Sequence, residues 1–433
     1  MIRKRFKLIS LISLIGSGLL TACGSLPTAL SPTSVSSLPS AVSSPLLSPS
    51  STPGHLMLEP EAGVAPWLHL IAQARTGIDV NAYLFDNTAI AQALRQAGSR
   101  GVPVHVLLAP NPYGASRWVA PEQRLLATIP HGVVRHPPTR FVGAYAFDHA
   151  KYLVINPGTS HVQALIGSAN FTDSATDGTN LEADVLVTGS PAQAAAAVFQ
   201  ADWTDHPAGP GPRQSLILSP GAQGAITTLL HSPSPIDLTA EELGDDPALN
   251  QALAQDGARL HLLLAAPLSA GTQRRAQTLV QAGVIVRTLT HPVVHAKVLI
   301  TASQAFVGSE NLSYVSLTHN REMGCLVSGA ARNALVQWFA YYWAQAQPFT
   351  PSSHAAIPSP PASSSASSSV SRPWLSRGMT MAAVQAAWGA PLRTYTTVYH
   401  GQTQQTWAYA RHTVYFVHSR VVAVTDHGIH SSS

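Results

Sequence analysis

One ordered set of motifs occurs twice along this chain. Leu56-Met-Leu-Glu-Pro60 returns as Leu216-Ile-Leu-Ser-Pro220, and Val104-His-Val-Leu-Leu108 as Leu260-His-Leu-Leu-Leu264. His149-Ala-Lys151 returns as His295-Ala-Lys297, and Gly167-Ser-Ala-Asn170 as Gly308-Ser-Glu-Asn311. Phe199 and Trp203 return as Phe339 and Trp343. The spacing between partners shrinks from 160 residues through 156, 146 and 141 to 140, and the order never changes. Chance similarity does not keep order in this way; a duplicated domain with small changes in loop length does. The chain is therefore expected to fold as two like halves about a pseudo-twofold axis.

Each half reads as strands alternating with helices. In the first, Ile78–Leu84 is strand-like, Ala89–Ala97 an alanine-rich amphipathic helix and Val102–Leu108 a buried strand. In the second the same succession is Ile236–Leu238, Pro247–Gln255 and Arg259–Leu264, and the segments Ala192–Trp203 and Ala331–Trp343 close the halves as helices. Such alternation predicts an α/β fold, a sheet with flanking helices in each half.

The termini read differently. Residues 1–7 carry Arg3, Lys4, Arg5 and Lys7; a 13-residue apolar run, Leu8 to Leu20, follows, and then Thr21-Ala22-Cys23. The run is short for a bilayer span of about 20 residues, and the order of charge, apolar middle and small-residue exit is that of an export signal. Leu20-Thr-Ala-Cys23 resembles the lipobox of bacterial lipoproteins, which implies cleavage before Cys23 and acylation of its thiol. By the same resemblance Gly24, in place of an Asp, implies anchoring at the periplasmic face of the outer membrane in the bacterial cell envelope. Loss of the four leading cations cancels the formal charge of +4, so the mature chain leaves no basic footprint for nucleic acid. The remaining Cys325 sits in an apolar run and is expected as a buried strand residue.

Two Ser/Pro-rich stretches cannot bury enough apolar surface to order themselves and read as linkers. The expected organisation is a signal over 1–22, Cys23 with a linker to 55, halves over 56–209 and 210–348, a second linker over 349–372, and a small module over 373–428.

The duplicated residues carry the chemistry. In each half a His and a Lys stand two apart, so that in an extended chain imidazole and ammonium share a face. Ser168 and Asn170, or Ser309 and Asn311, follow on a second run, and then a carboxylate, Glu182 or Glu322. Brought together, these ten side chains offer paired imidazoles, ammonium groups, hydroxyls, amides and carboxylates, the groups a phosphodiester site needs without a cofactor. Each Glu is expected to accept the far N–H of a His and leave the other nitrogen free to attack. Metal ligation is not expected, because no Cys/His spacing supports it. His105, His136, His261, His291 and His319 read as surface or packing residues. Asp148 is expected to point away from the site, and Phe141, Tyr145 and Phe147 are read as packing, with a lipid entrance as the alternative.

The two H-x-K and G-S-x-N copies resemble the phospholipase D superfamily over roughly residues 56–348. The resemblance implies a covalent phosphohistidine formed by one His while the other protonates the leaving alcohol, with His149 assigned as nucleophile, His295 as acid/base, and no cofactor or metal. The family motif continues to an Asp, which here is Asn156 in the first copy and Ala302 in the second; its structural role there puts local packing in question. Residues 373–428 resemble the small module of SmpA/OmlA-type outer-membrane lipoproteins, with Thr380 as N-cap of a helix and strands at Thr406–Ala410, Thr413–Val417 and Val421–Thr425. That resemblance implies a docking module for an envelope protein. The expected function is a monomeric phospholipase D-type phosphodiesterase on phospholipid membranes. A nuclease, a cardiolipin-synthase-like transferase and an inactive anchored scaffold stand as alternatives.

Overall fold

The computed structural model describes residues 54–113, 115–143, 146–351, 375, 379–391, 393–399, 402–409, 412–417 and 419–426. The signal segment, Cys23, almost all of both linkers and Tyr145 lie outside the described residues. Among the described residues no helix is long and apolar enough to cross a membrane.

In the first half the strands are β1 (His55–Leu58), β2 (Ile78–Ala82), β3 (Val104–Leu108), β4 (Gly132–Arg135), β5 (Lys151–Ile155), β6 (Gln163–Gly167), β7 (Asn180–Leu181) and β8 (Ala183–Thr188). In the second they are β9 (Ile217–Ser219), β10 (Ile236–Ala240), β11 (Leu260–Ala265), β12 (Ile285–Leu289), β13 (Val293–Val294), β14 (Lys297–Ile300), β15 (Gln304–Gly308), β16 (Glu322–Ser328) and β17 (Gln347–Pro348). The first sheet runs β1-β8-β6-β5-β2-β3-β4 and the second β17-β12-β11-β10-β14-β15-β16-β9. Apart from the added edge strand β17, the two orders are the same, so the duplication read in the sequence is a duplication of topology.

Local chemistry explains why the halves match in detail. The helix Thr88–Ser99 is capped by Asn87, whose Oδ1 accepts the Ile90 N–H at 2.9 Å. Its counterpart Pro247–Asp256 is capped by Asp246, which accepts the Leu249 N–H at 3.0 Å. Each cap satisfies an N–H that the helix cannot. His105 pairs with Asp79 at 3.0 Å and lies against Trp203; His261 pairs with Asp237 at 2.9 Å and lies against Trp343. Both histidines are thus packing residues, as their positions suggested.

A shared core forms where the halves meet. Tyr152, Val154, Ile166 and Val185 of the first sheet join Val298, Val307, Met323 and Cys325 of the second. The helices Ser190–Trp203 and Gly329–Gln345 contribute Val198, Phe199, Leu335 and Phe339 to the same core. Separate apolar layers under the outer helices complete each half. Cys325 is buried within β16, and burial pushes its thiol up to about 12.

Residues 379–426 hold the helix Met381–Trp388, with the Thr380 hydroxyl accepting the Ala383 N–H at 3.2 Å. Four antiparallel strands follow, Arg393–Tyr399, Gln402–Ala408, His412–Val417 and Arg420–Asp426. Sequence reading misses the first of these, because Arg393-Thr-Tyr-Thr-Thr has no apolar alternation to mark it. Val384 and Trp388 pack with Trp407, Tyr409, Val414 and Phe416. At the second linker, the Phe349 N–H still bonds the Val286 carbonyl at 2.9 Å, so ordered pairing reaches one residue into the expected linker.

Candidate active site

The site is assembled by chain segments that cross between the halves. β13 pairs in parallel with β7, and the N–H groups of His295 and Ala296 both donate to the Leu181 carbonyl, at 3.1 and 2.8 Å. In the other direction the His149 N–H donates to the Arg321 carbonyl and the Arg321 N–H to the Phe147 carbonyl, each at 2.9 Å. Each histidine backbone is therefore tied to the residue just before the opposite half's glutamate. Both histidines precede β5 and β14, which begin at Lys151 and Lys297; the H-x-K segment enters its strand only at the lysine.

The side chains follow the backbone. His149 Nδ1 lies 2.9 and 3.0 Å from the two carboxylate oxygens of Glu322, and His295 Nδ1 lies 2.7 and 2.8 Å from those of Glu182. A carboxylate only accepts, so Nδ1 carries a proton in each imidazole and Nε2 is the nitrogen left for a ligand. Burial would raise both carboxyls, but the facing imidazole, the lysines and the hydrogen bonds outweigh it and hold them below the usual range. Burial pushes His149 down to about 4 against the pull of Glu322.

The serine hydroxyls of the site lie behind the glutamates. Ser168 donates to Glu182 at 2.6 Å and Ser309 to Glu322 at 2.7 Å, and both serines are fully buried. They orient the carboxylates from behind. Asn180 and Asn320 do the same, each donating at 3.0 Å to the glutamate two residues on. Sequence reasoning passed over these two, although Asn180-Leu-Glu182 and Asn320-Arg-Glu322 repeat 140 residues apart, the spacing of Phe199 and Phe339.

The side-chain amides of Asn170 and Asn311 are left unengaged. Neither side chain hydrogen-bonds within the described residues, and the Oδ1 of each is buried without a partner. The lysines are unlike each other. Lys151 Nζ donates to the His149 carbonyl and lies 4.7 Å from the centre of the Tyr83 ring; burial pushes it down to about 7. Lys297 Nζ donates to the His295 carbonyl at 2.5 Å and to Glu241 Oε2 at 2.9 Å. Tyr83 and Glu241 were not expected at the site; each follows the end of its central strand, after Ala82 of β2 and Ala240 of β10.

Behind the glutamates the halves differ in where they place a further buried acid. In the first half it is Asp184 of β8, which accepts the Ala169 N–H at 3.2 Å. In the second it is Glu310 of the G-S-x-N turn, and β16 carries Gly324 where β8 carries Asp184. A Cβ on Gly324 would sit 2.2 Å from the Phe306 ring and 3.0 Å from Glu310 Oε2, so only glycine fits there. Burial raises both acids well above the usual range. Asp148 does turn away from the site, accepting Asn81 Nδ2 at 2.7 Å. Phe141 is buried beneath Arg321, 4.5 Å from its guanidinium, and packs rather than lining an entrance.

Asn156 joins two segments of the first half. Its Oδ1 accepts the N–H groups of Arg75 and Thr76, at 2.7 and 3.2 Å, and ties the end of β5 to the loop before β2. Its φ of 55° is a conformation that Asn tolerates better than most residues. Ala302 has no side chain for the task; instead its N–H donates to Ser234 Oγ at 3.2 Å.

Residues 67–203 and 238–343 match the family model described as "Cardiolipin synthase, PLD-like domain", one segment in each half. The chain belongs to the phospholipase D superfamily. Among solved structures of similar fold, the polyphosphate kinase of Porphyromonas gingivalis aligns with a TM-score of 0.51 at 16% identity, over 66% of this chain and 46% of its own. This phospholipase D-like chain thus spans less than half the length of that kinase. The phosphatidylserine synthase of Haemophilus influenzae Rd KW20 aligns with a TM-score of 0.50 at 12% identity, over 66% of this chain and 84% of its own. At such identities the likeness is one of fold. No curated protein sequence matches the chain.

Proposed function

We propose that this member of the superfamily cleaves phosphodiesters, with phospholipids as substrates, through a phosphohistidine on His149. The carrying observation is the crossed pairing of His149 with Glu322 and His295 with Glu182, which leaves both Nε2 atoms clear of these glutamates: that of His149 attacks with its lone pair, and that of His295 enters the step carrying the proton given to the leaving oxygen. The Nε2 lone pair of His149 attacks phosphorus, a P–N bond forms, the P–O bond to the leaving arm breaks, and that oxygen takes a proton from His295 Nε2. Water or an alcohol then gives its proton back to His295 as its oxygen displaces His149 from phosphorus. Lys151, Lys297, Asn170 and Asn311 hold the non-bridging oxygens. Two features favour this assignment of roles. Burial pushes His149 down to about 4, which suits a nucleophile, and His295 has Glu182 at one ring nitrogen and Glu241 at 3.5 Å from the other, an arrangement that His149 lacks.

Phospholipids are favoured over nucleic acid because removal of residues 1–22 would leave a chain of zero formal net charge. An acylated Cys23 would hold the enzyme at the bacterial envelope, on the periplasmic face of the outer membrane, with residues 373–428 docking an envelope protein. The test is incubation of the full chain with mixed phospholipids and with plasmid DNA, in chelator. Phosphatidic acid without DNA nicking supports the proposal, nicking alone supports a nuclease, and phosphatidyl transfer to an added alcohol supports a transferase. His149→Ala and His295→Ala should each abolish turnover; full activity in either refutes the shared site.

A further inference from the structure

The pseudo-twofold axis relates His149 to His295, Lys151 to Lys297 and Glu322 to Glu182, but it relates Tyr83 to Glu241. That exchange makes the two sides of the site chemically different at the histidines and lysines. On the first side the Tyr83 ring stands edge-on to His149, with ring centres 4.5 Å apart, and beneath Lys151. On the second side Glu241 Oε2 lies 2.9 Å from Lys297 Nζ and 3.5 Å from His295 Nε2. Glu241 is about one-third exposed, at 32%, and its Oε1 accepts no hydrogen bond from the described residues. A carboxylate that only assisted Lys297 would not need an open oxygen beside the nitrogen that serves the leaving arm.

An anionic oxygen at this place bears on what the leaving arm is. It repels phosphoryl oxygens, so it cannot belong to the cradle for the non-bridging pair; it belongs to the arm that His295 protonates. An amine two carbons from the scissile oxygen lies about 3–4 Å from it by ordinary bond lengths, within reach of Glu241 Oε1. A neutral polyol offers weaker donors there, and an arm bearing a further phosphate is repelled. Resting on the phosphodiesterase reading above, we propose that Glu241 selects phosphodiesters whose leaving arm carries an ammonium group close to the scissile oxygen, that is, amino-alcohol head groups.

The test uses the full chain in detergent micelles and three lipids with identical acyl chains: phosphatidylethanolamine, phosphatidylcholine and phosphatidylglycerol. Phosphatidic acid release is followed, with bis(p-nitrophenyl) phosphate as a diester that has no charged arm. The wild-type chain should prefer the two amino-alcohol lipids by about tenfold or more in kcat/KM, the size expected for one charge-assisted contact. Glu241→Gln should bring that ratio to within about twofold. A wild-type chain that turns over phosphatidylglycerol as well as the other two overturns the proposal, and this result needs no variant to fold. An unchanged ratio in Glu241→Gln overturns it, as does an equal loss on all three lipids, which would make Glu241 a partner of His295 or Lys297 alone. Turnover of the nitrophenyl diester keeps the phosphodiesterase reading standing in each of these cases. No turnover of any diester refutes that reading, and this proposal with it.

Discussion

His149 and Glu322 are 173 residues apart in the chain, yet the imidazole Nδ1 lies 2.9 Å from the carboxylate. The reciprocal pair, His295 and Glu182, closes the same contact from the other side at 2.7 Å. Neither half can orient its own histidine. The site exists only where both halves are folded and docked, which ties the chemistry to the shared core around Tyr152, Phe199, Met323 and Phe339.

Glu322→Gln is expected to lower kcat by about two to four orders of magnitude with little change in KM. The amide can still hydrogen-bond His149 but no longer fixes the Nδ1–H tautomer or balances the charge formed on attack. Glu182→Gln should act alike through His295. Steady-state kinetics on a soluble diester checks both; a KM effect with kcat intact would place the glutamates in substrate binding instead.

The free enzyme should show a bell-shaped kcat/KM profile. His149, pushed down by burial to about 4, is a free base above that pH, so the acid limb lies near 4. Lys151, pushed down by burial to about 7, loses the positive charge that would hold the phosphate as pH rises through 7, which sets the alkaline limb. Rates measured from pH 3.5 to 9.5 decide this. A profile flat to pH 9 would show that the charge on Lys151 is not needed.

A buried ion pair also bridges the halves. Arg321 donates to both oxygens of Asp202, at 2.7 and 2.9 Å, and to the Ser219 carbonyl at 2.9 Å. Arg321→Met should destabilise the fold by about 1.5–3 kcal/mol, because it removes two charge-assisted hydrogen bonds and leaves Arg140, at 2.8 Å, as the remaining ion partner of the buried Asp202 carboxylate. Asp202→Asn should cost a similar amount, and the double variant less than the sum of the two. Denaturant unfolding of the three variants measures the coupling; additive losses would show that the pair does not act as a unit.

At Asn156 the expectation divides by substitution. Asn156→Ala leaves the N–H groups of Arg75 and Thr76 without their acceptor and should cost about 1–3 kcal/mol. Asn156→Asp keeps an acceptor in place and should retain stability and turnover. Thermal unfolding compared with activity separates a packing role from a chemical one.

Much of this was legible in the linear pattern. The order of repeated motifs shows the duplication, strand–helix alternation shows the α/β class, and Thr380 before an apolar helix shows a cap, because each of these is a local regularity. The chain also names its histidines, lysines, asparagines and glutamates. Only the tertiary structure decides which glutamate serves which histidine, since a duplicated sequence offers each histidine a near and a far copy of the same carboxylate, and packing across the axis chooses the far one. The same holds for Ser168 and Ser309, whose motif position suggests a ligand contact but whose burial turns them to the carboxylates. Glu241 enters the site because β10 ends beside β14 in the sheet, a proximity between residues 56 apart in the chain that no local periodicity encodes.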